Sequence, residues 1–178
     1  MTHDSTQNPQ LAVILEAIQN HDYPDSIEQI KAYVAELEAH ERFYPASQLL
    51  SHTRERYQSI RQFQTETAQG KWWQSDTAQD EVWITQKQAF FTYKNPELPP
   101  RTRFNDTLLL LEEIGLRDAT NCNAETLALG GAAYKRKWQH FGQLEDLIEA
   151  LFFYRAAFER NPKQDKGYGG VNAAFSLD

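Results

Sequence analysis

The stretch from Ala150 to Pro162 constrains this chain more than any other. Ala150, Tyr154 and Ala157 are four and three residues apart, which puts them on one face of a helix. Small side chains at Ala150 and Ala157 let a neighbouring helix approach closely, and Tyr154 fills the space between them. Pro162 cannot continue the helix and marks the turn into the next one. A helix of this kind needs a partner over its face. The pattern therefore predicts stacked helical hairpins, an architecture that binds other proteins far more often than it performs chemistry.

Internal echoes agree with it. Tyr93-Lys94 and Tyr134-Lys135 stand 41 residues apart, and Thr107-x3-Leu111-x2-Ile114 precedes Ala150-x3-Tyr154-x2-Ala157 by 43. Ala46-x3-Leu50-x2-Thr53 is a weaker third copy. Two coincidences in the same order point to related hairpins, each longer than a minimal 34-residue repeat.

Composition narrows the class further. The chain has 178 residues, 40% of them hydrophobic, with only 8 Gly and 7 Pro. That supply of turn residues suits a mostly helical domain with a real core. The net charge of −7 is uneven: residues 1–90 contribute −6 and residues 91–178 contribute −1. With no basic surplus at domain scale, nucleic acid is not the expected partner. Cys122 is the single cysteine, which excludes an intramolecular disulfide and a cysteine-based zinc site and suits a reducing cytoplasm. Met1 to Gln10 lacks the apolar core of a signal peptide, and the longest apolar run, Leu108 to Leu111, is too short to span a bilayer.

Helical spacing organises the rest. Leu11 to Asn20 reads as a short amphipathic helix, and Ser26 is placed to cap a second helix ending near His40. Tyr44-Pro45-Ala46 is expected to turn the chain, proline fitting the first helical turn, into a longer helix running through Leu49, Leu50, Tyr57, Ile60 and Phe63. After an irregular stretch, a second block begins near Gln79 and stops at Asn95-Pro96-Glu97-Leu98-Pro99-Pro100, where three prolines stiffen the backbone. Arg101 to Gly115 returns, with Gly115 as C-cap. Glu125 to Phe141 and Gln143 to Asn161 form a further hairpin. The division expected is 1–70, an N-terminal helical segment acting as cap or first hairpins, and 79–178, the repeat hairpins. A helix would begin again near Asp178, so the natural protein is expected to continue past it.

The runs Tyr93 to Pro100, Leu110 to Gly115, Glu125 to Trp138 and Gly167 to Asp178 resemble a bacterial tetratricopeptide-type family. That family is similar to the TRAF-binding regulatory region of stress-activated mitogen-activated protein kinase kinase kinases. Both have a helix that carries a glycine and a Tyr-Lys pair (here Gly131, Tyr134 and Lys135), then an aromatic-rich helix, then a Tyr-x-Gly-Val-Asn element holding Gly170 and Asn172. The resemblance covers residues 85–178. It implies an all-α, tetratricopeptide-like solenoid that serves as scaffold or regulatory module ahead of an effector domain. Asn95 in place of aspartate and Ala133 in place of a branched residue depart from the pattern.

Few constellations point to catalysis. The five histidines are scattered without the paired helical spacing of a zinc hydrolase, Glu112 and Glu113 diverge on a helix, and no Gly-x-Ser-x-Gly elbow occurs. No catalytic residue, metal or cofactor is expected. Gly167-Tyr168-Gly169-Gly170 would offer backbone N–H groups to a phosphate, but it lacks a P-loop ending. It reads better as a tight turn, with Asn172 capping the next helix. Lys135-Arg136-Lys137 is the strongest basic cluster, and its members point in different directions on a helix. Lys135 is the member expected to line a partner-binding groove with Lys94, Glu125, Ala128 and Gln139. Trp72 and Trp73 are candidate exposed anchors. The expected partner is a protein or peptide. The alternatives are a small anionic ligand held at Gly167–Asn172 and the basic cluster, or a structural module for homo-oligomerisation.

Overall fold

The computed structural model describes residues 8–67, 76–118 and 122–160, and all regular structure among them is helical. In chain order the helices are α1 (Pro9–Gln19), α2 (Ile27–Ala39), α3 (Phe43–Thr67), α4 (Asp76–Lys94), α5 (Pro100–Glu113), α6 (Ala124–Phe141) and α7 (Leu144–Arg160). The chain divides into two compact units, Met1–Ile84 and Thr85–Asp178, and the division falls within α4.

In the first unit, local side chains set the helix starts. Asn8 Oδ1 accepts from the N–H groups of Gln10 (3.0 Å) and Leu11 (3.1 Å), with Pro9 at the first position of α1. Ser26 caps α2 as expected, its hydroxyl accepting from Gln29 N–H at 3.5 Å. Leu11, Ile14 and Ile18 from α1 are buried, as are Ile30, Val34 and Leu37 from α2 and Ala46, Leu49 and Leu50 from α3. Arg56 ties α3 to the segment before α2, donating to Asp25 Oδ1 at 2.9 Å and Asp25 O at 2.8 Å.

One expectation for this unit is corrected. The chain does not turn at Tyr44–Ala46: these residues lie in the first turn of α3, and the reversal occurs at Glu41, whose φ is 52°. There Arg42 N–H reaches back to Leu37 O (2.8 Å) and Glu41 N–H to Glu38 O (3.1 Å), the bond pair of a Schellman ending. Pro45 does sit in a first helical turn, as expected of a residue whose missing N–H has no partner to lose there, but the reversal itself precedes it. Along α3 Tyr57 is buried and Ile60 is exposed.

The second unit stacks helices in a fixed sense. Tyr93 and Phe104 have ring centroids 6.5 Å apart and Thr107 Oγ1 donates to Ala89 O at 3.4 Å, so α4 and α5 run antiparallel. Lys137 meets Asp146 at 3.1 Å and Gly131 lies under Tyr154, so α6 and α7 are antiparallel too. Gln86 on α4 reaches Thr126 on α6, and seven residues later Tyr93 reaches Arg136, so the two first helices run parallel. The proline elbow is held by Asn95, whose Oδ1 accepts from Glu97 N–H at 3.0 Å and whose carbonyl accepts from Arg103 Nη1 at 3.2 Å. Both are acceptor roles, which an aspartate would fill equally. The helices α4, α6 and α7 begin or end within three residues of expectation, with α4 starting at Asp76 rather than near Gln79. Gly115 (φ 88°) sits one position after the C-cap Ile114 and completes another Schellman ending.

The repeated triples are burial patterns. Ala46, Leu50 and Thr53 on α3, Thr107 and Leu111 on α5, and Ala150, Tyr154 and Ala157 on α7 are all buried; Ile114 is half-buried. Every triple therefore lies on the second helix of its pair.

Candidate functional site

Side chains of the parallel first helices of the second unit, α4 and α6, meet at their C-terminal ends. Lys94 is the last residue of α4 and exposed, its ammonium 5.8 Å from the Phe90 ring centroid and 5.6 Å from that of Tyr93. Lys87, two turns earlier, stands 5.5 Å from the same Phe90 centroid. A cation over an aromatic face is attracted by the ring quadrupole, so both lysines are oriented before any ligand arrives.

On α6, Glu125 and Gln139 are exposed, and Ala128 and Lys135 are half-buried. Glu125 lies in the first turn, where the helix dipole and the Asn123 cap favour a negative charge. Burial pushes the Lys135 ammonium below the ordinary lysine range, and neighbouring Arg136 pushes it the same way. Spacing puts Ala128, Lys135 and Gln139 on one stripe. The link between α6 and α4 runs through Arg136, whose Nε donates to Tyr93 Oη at 3.3 Å and whose Nη1 donates to Gln139 Oε1 at 3.2 Å. Lys94, Tyr93, Arg136 and Gln139 thus form one contiguous line across the two helices. Arg136 was expected in the basic cluster but not among the groove residues; its three-residue spacing to Gln139 was the available signal.

The basic cluster fans out. Lys137 turns to the opposite side of α6, 3.1 Å from the buried Asp146 carboxylate and 5.7 Å from the Tyr134 centroid. Tyr134 itself faces inward, stacked on Phe153 with centroids 5.6 Å apart and planes within 12°. Burial raises its phenol. Arg117, from the connection between α5 and α6, covers both rings, donates to Tyr134 Oη, and reaches Glu149 at 2.8 Å. Sequence spacing did not single out Arg117.

Gly131, Ala150, Tyr154 and Ala157 hold the α6–α7 hairpin together and do not reach the line from Lys94 to Gln139. Trp72, Trp73, Pro162, Gly170 and Asn172, with the whole Gly167–Asp178 segment, lie outside the described residues. Among the described residues no group of three His, Cys, Asp or Glu is placed to hold a metal, and no helix is long and apolar enough to cross a membrane.

A family model described as Tetratricopeptide Repeats-Sensor matches residues 57–177, reaching further toward the N-terminus than the resemblance read from residue 85. No curated protein and no solved structure matches the chain significantly.

Proposed function

The chain belongs to the Tetratricopeptide Repeats-Sensor family, and from that premise we propose that it captures a protein or peptide on the open face of α4 and α6, as the sensing or scaffolding part of a signalling or defence protein. The observation that carries this reading is the parallel placement of two first helices whose outward side chains are polar and pre-oriented. Lys94 and Gln139 sit at either end of the line through Tyr93 and Arg136, while Glu125, Ala128 and Lys135 continue the face along α6. Side chains already held in place lose less conformational freedom on binding, which favours recognition over catalysis.

A photo-crosslinking amino acid placed at Gln139 and expressed in the native cells tests the proposal. The expected result is one discrete protein adduct that disappears when Lys94 and Lys135 are both changed to glutamate. An adduct that persists unchanged in the double variant would move the binding face elsewhere.

A further inference from the structure

One side of α7 presents apolar side chains to solvent. Leu144, Ile148 and Phe152 are 61%, 60% and 53% exposed, and their four-residue spacing lines them into one stripe about 12 Å long. Ala150, Phe153, Tyr154 and Ala157, elsewhere around the helix, are buried. Phe152 is fixed in direction, its ring edge-on to the buried Phe153 with centroids 5.2 Å apart and planes at 77°. The 43-residue offset between the hairpins of the second unit shows what the same side of α5 carries. Arg101, Asn105 and Leu109 stand there in the places of Leu144, Ile148 and Phe152. A hairpin of this kind therefore folds without such a stripe. Three large exposed apolar side chains in a row, with no task inside their own hairpin, mark a docking surface.

We infer that a second copy of this chain docks on the stripe, the two α7 helices packing antiparallel about a two-fold axis at the level of Ala150. The charges at its ends choose this occupant. Glu145 adjoins Leu144, and Arg155 follows Phe152 by three residues on the same side of the helix. Positions 148 and 152 lie symmetrically about 150, and so do positions 145 and 155. One two-fold therefore sets Ile148 against Phe152 of the second copy and Glu145 against its Arg155, each pair made twice. Arg155 also donates through Nε to Glu159 of its own helix at 2.8 Å. A guanidinium carries five donors, so the second carboxylate is accommodated beside the first. A stripe of three side chains covers only a few hundred Å2, well short of a permanent interface, and sets a weak dimer with a Kd of about 10 µM or above. The proposal is independent of peptide capture by α4 and α6.

Sedimentation equilibrium on the full chain from about 1 to 500 µM tests this, a range that brackets the expected Kd. The parent protein is expected to pass reversibly from monomer to dimer. I148K/F152K should weaken the dimer at least about tenfold with unchanged thermal melting, because both side chains are exposed in the monomer. E145R and R155E should each weaken it about threefold by setting like charges face to face, and E145R/R155E should restore it by exchanging the partners. That recovery requires the two positions to meet across copies, which a general change in surface charge would not produce. A chain monomeric throughout overturns the proposal, and so does a dimer that persists in I148K/F152K. Charge reversals without effect, or without recovery in the double variant, overturn the antiparallel register. A monomer that crosslinks from a photo-reactive residue at position 148 to a different protein in native cells gives the stripe to that partner instead.

Discussion

The Tyr154 ring lies so close over Gly131 that a Cβ at that position would stand 2.9 Å from two ring carbons. Tyr154 is almost fully buried and packed between α6 and its neighbours, so the ring has no space to yield into. Gly131→Ala should lose about 1–2 kcal/mol in urea unfolding, because overpacking of about 1–3 kcal/mol outweighs the helix propensity gained. Gly130→Ala should lose less: its obstruction is the far end of the Leu116 side chain, which can rotate away. Equal losses in the two variants would contradict the close-approach argument.

Gln86 joins α4 to α6. Its Nε2 donates to Thr126 Oγ1 in a buried contact and to Oδ1 of the exposed Asn123 in a part-buried one, both at 2.8 Å. Gln86→Leu keeps the volume and removes the donor to the buried Thr126 hydroxyl, while Asn123 Oδ1 keeps the Thr126 N–H, with an expected cost of about 1 kcal/mol. Chemical denaturation followed by circular dichroism measures it.

Glu41 holds a left-handed backbone, with φ 52°, at the end of α2, where glycine is the usual occupant. Glu41→Gly should raise stability by about 0.5 kcal/mol, since relief of the left-handed strain exceeds the extra freedom given to the unfolded chain. Gly115→Ala, at the matching position after α5, should lower it by about 1 kcal/mol. Midpoints of urea unfolding for the two variants, moving in opposite directions, would confirm the shared geometry.

Cys122 gives a pH dependence. Burial pushes its thiol above the ordinary value. The neutral thiol is therefore favoured in the folded state, and its contribution is complete below the unfolded pKa of about 8.5. As pH rises from there through the higher folded pKa, the unfolded chain ionises first and stability falls. Thermal melting of Cys122→Ala should show a shallower decline between neutral and alkaline pH than the parent protein. Alkylation of the native thiol should be slow for the same reason.

Much of the fold was legible because its signals are local. Ser26, the prolines around Pro99 and the triple Ala150, Tyr154, Ala157 act on their own turn or on the face they share. Helical spacing alone assigns them. The reversal was expected at Tyr44–Ala46, where Pro45 suits both a turn and a helix start, and only the backbone of Glu41 puts it earlier.

By itself, then, the sequence determined that this is an all-α chain of hairpins and which face of each second helix is buried, since those depend on spacings of three and four residues. Tertiary structure alone decided which polar groups meet. Gln86 finds Thr126 across 40 residues and Arg136 finds Tyr93 across 43, pairings set by how two helices are rotated against each other. The same rotation decides the charge pattern. Three consecutive basic residues on α6 point around the helix, so packing sends Lys137 to a buried carboxylate and Arg136 to Tyr93, the ring that Lys94 also meets.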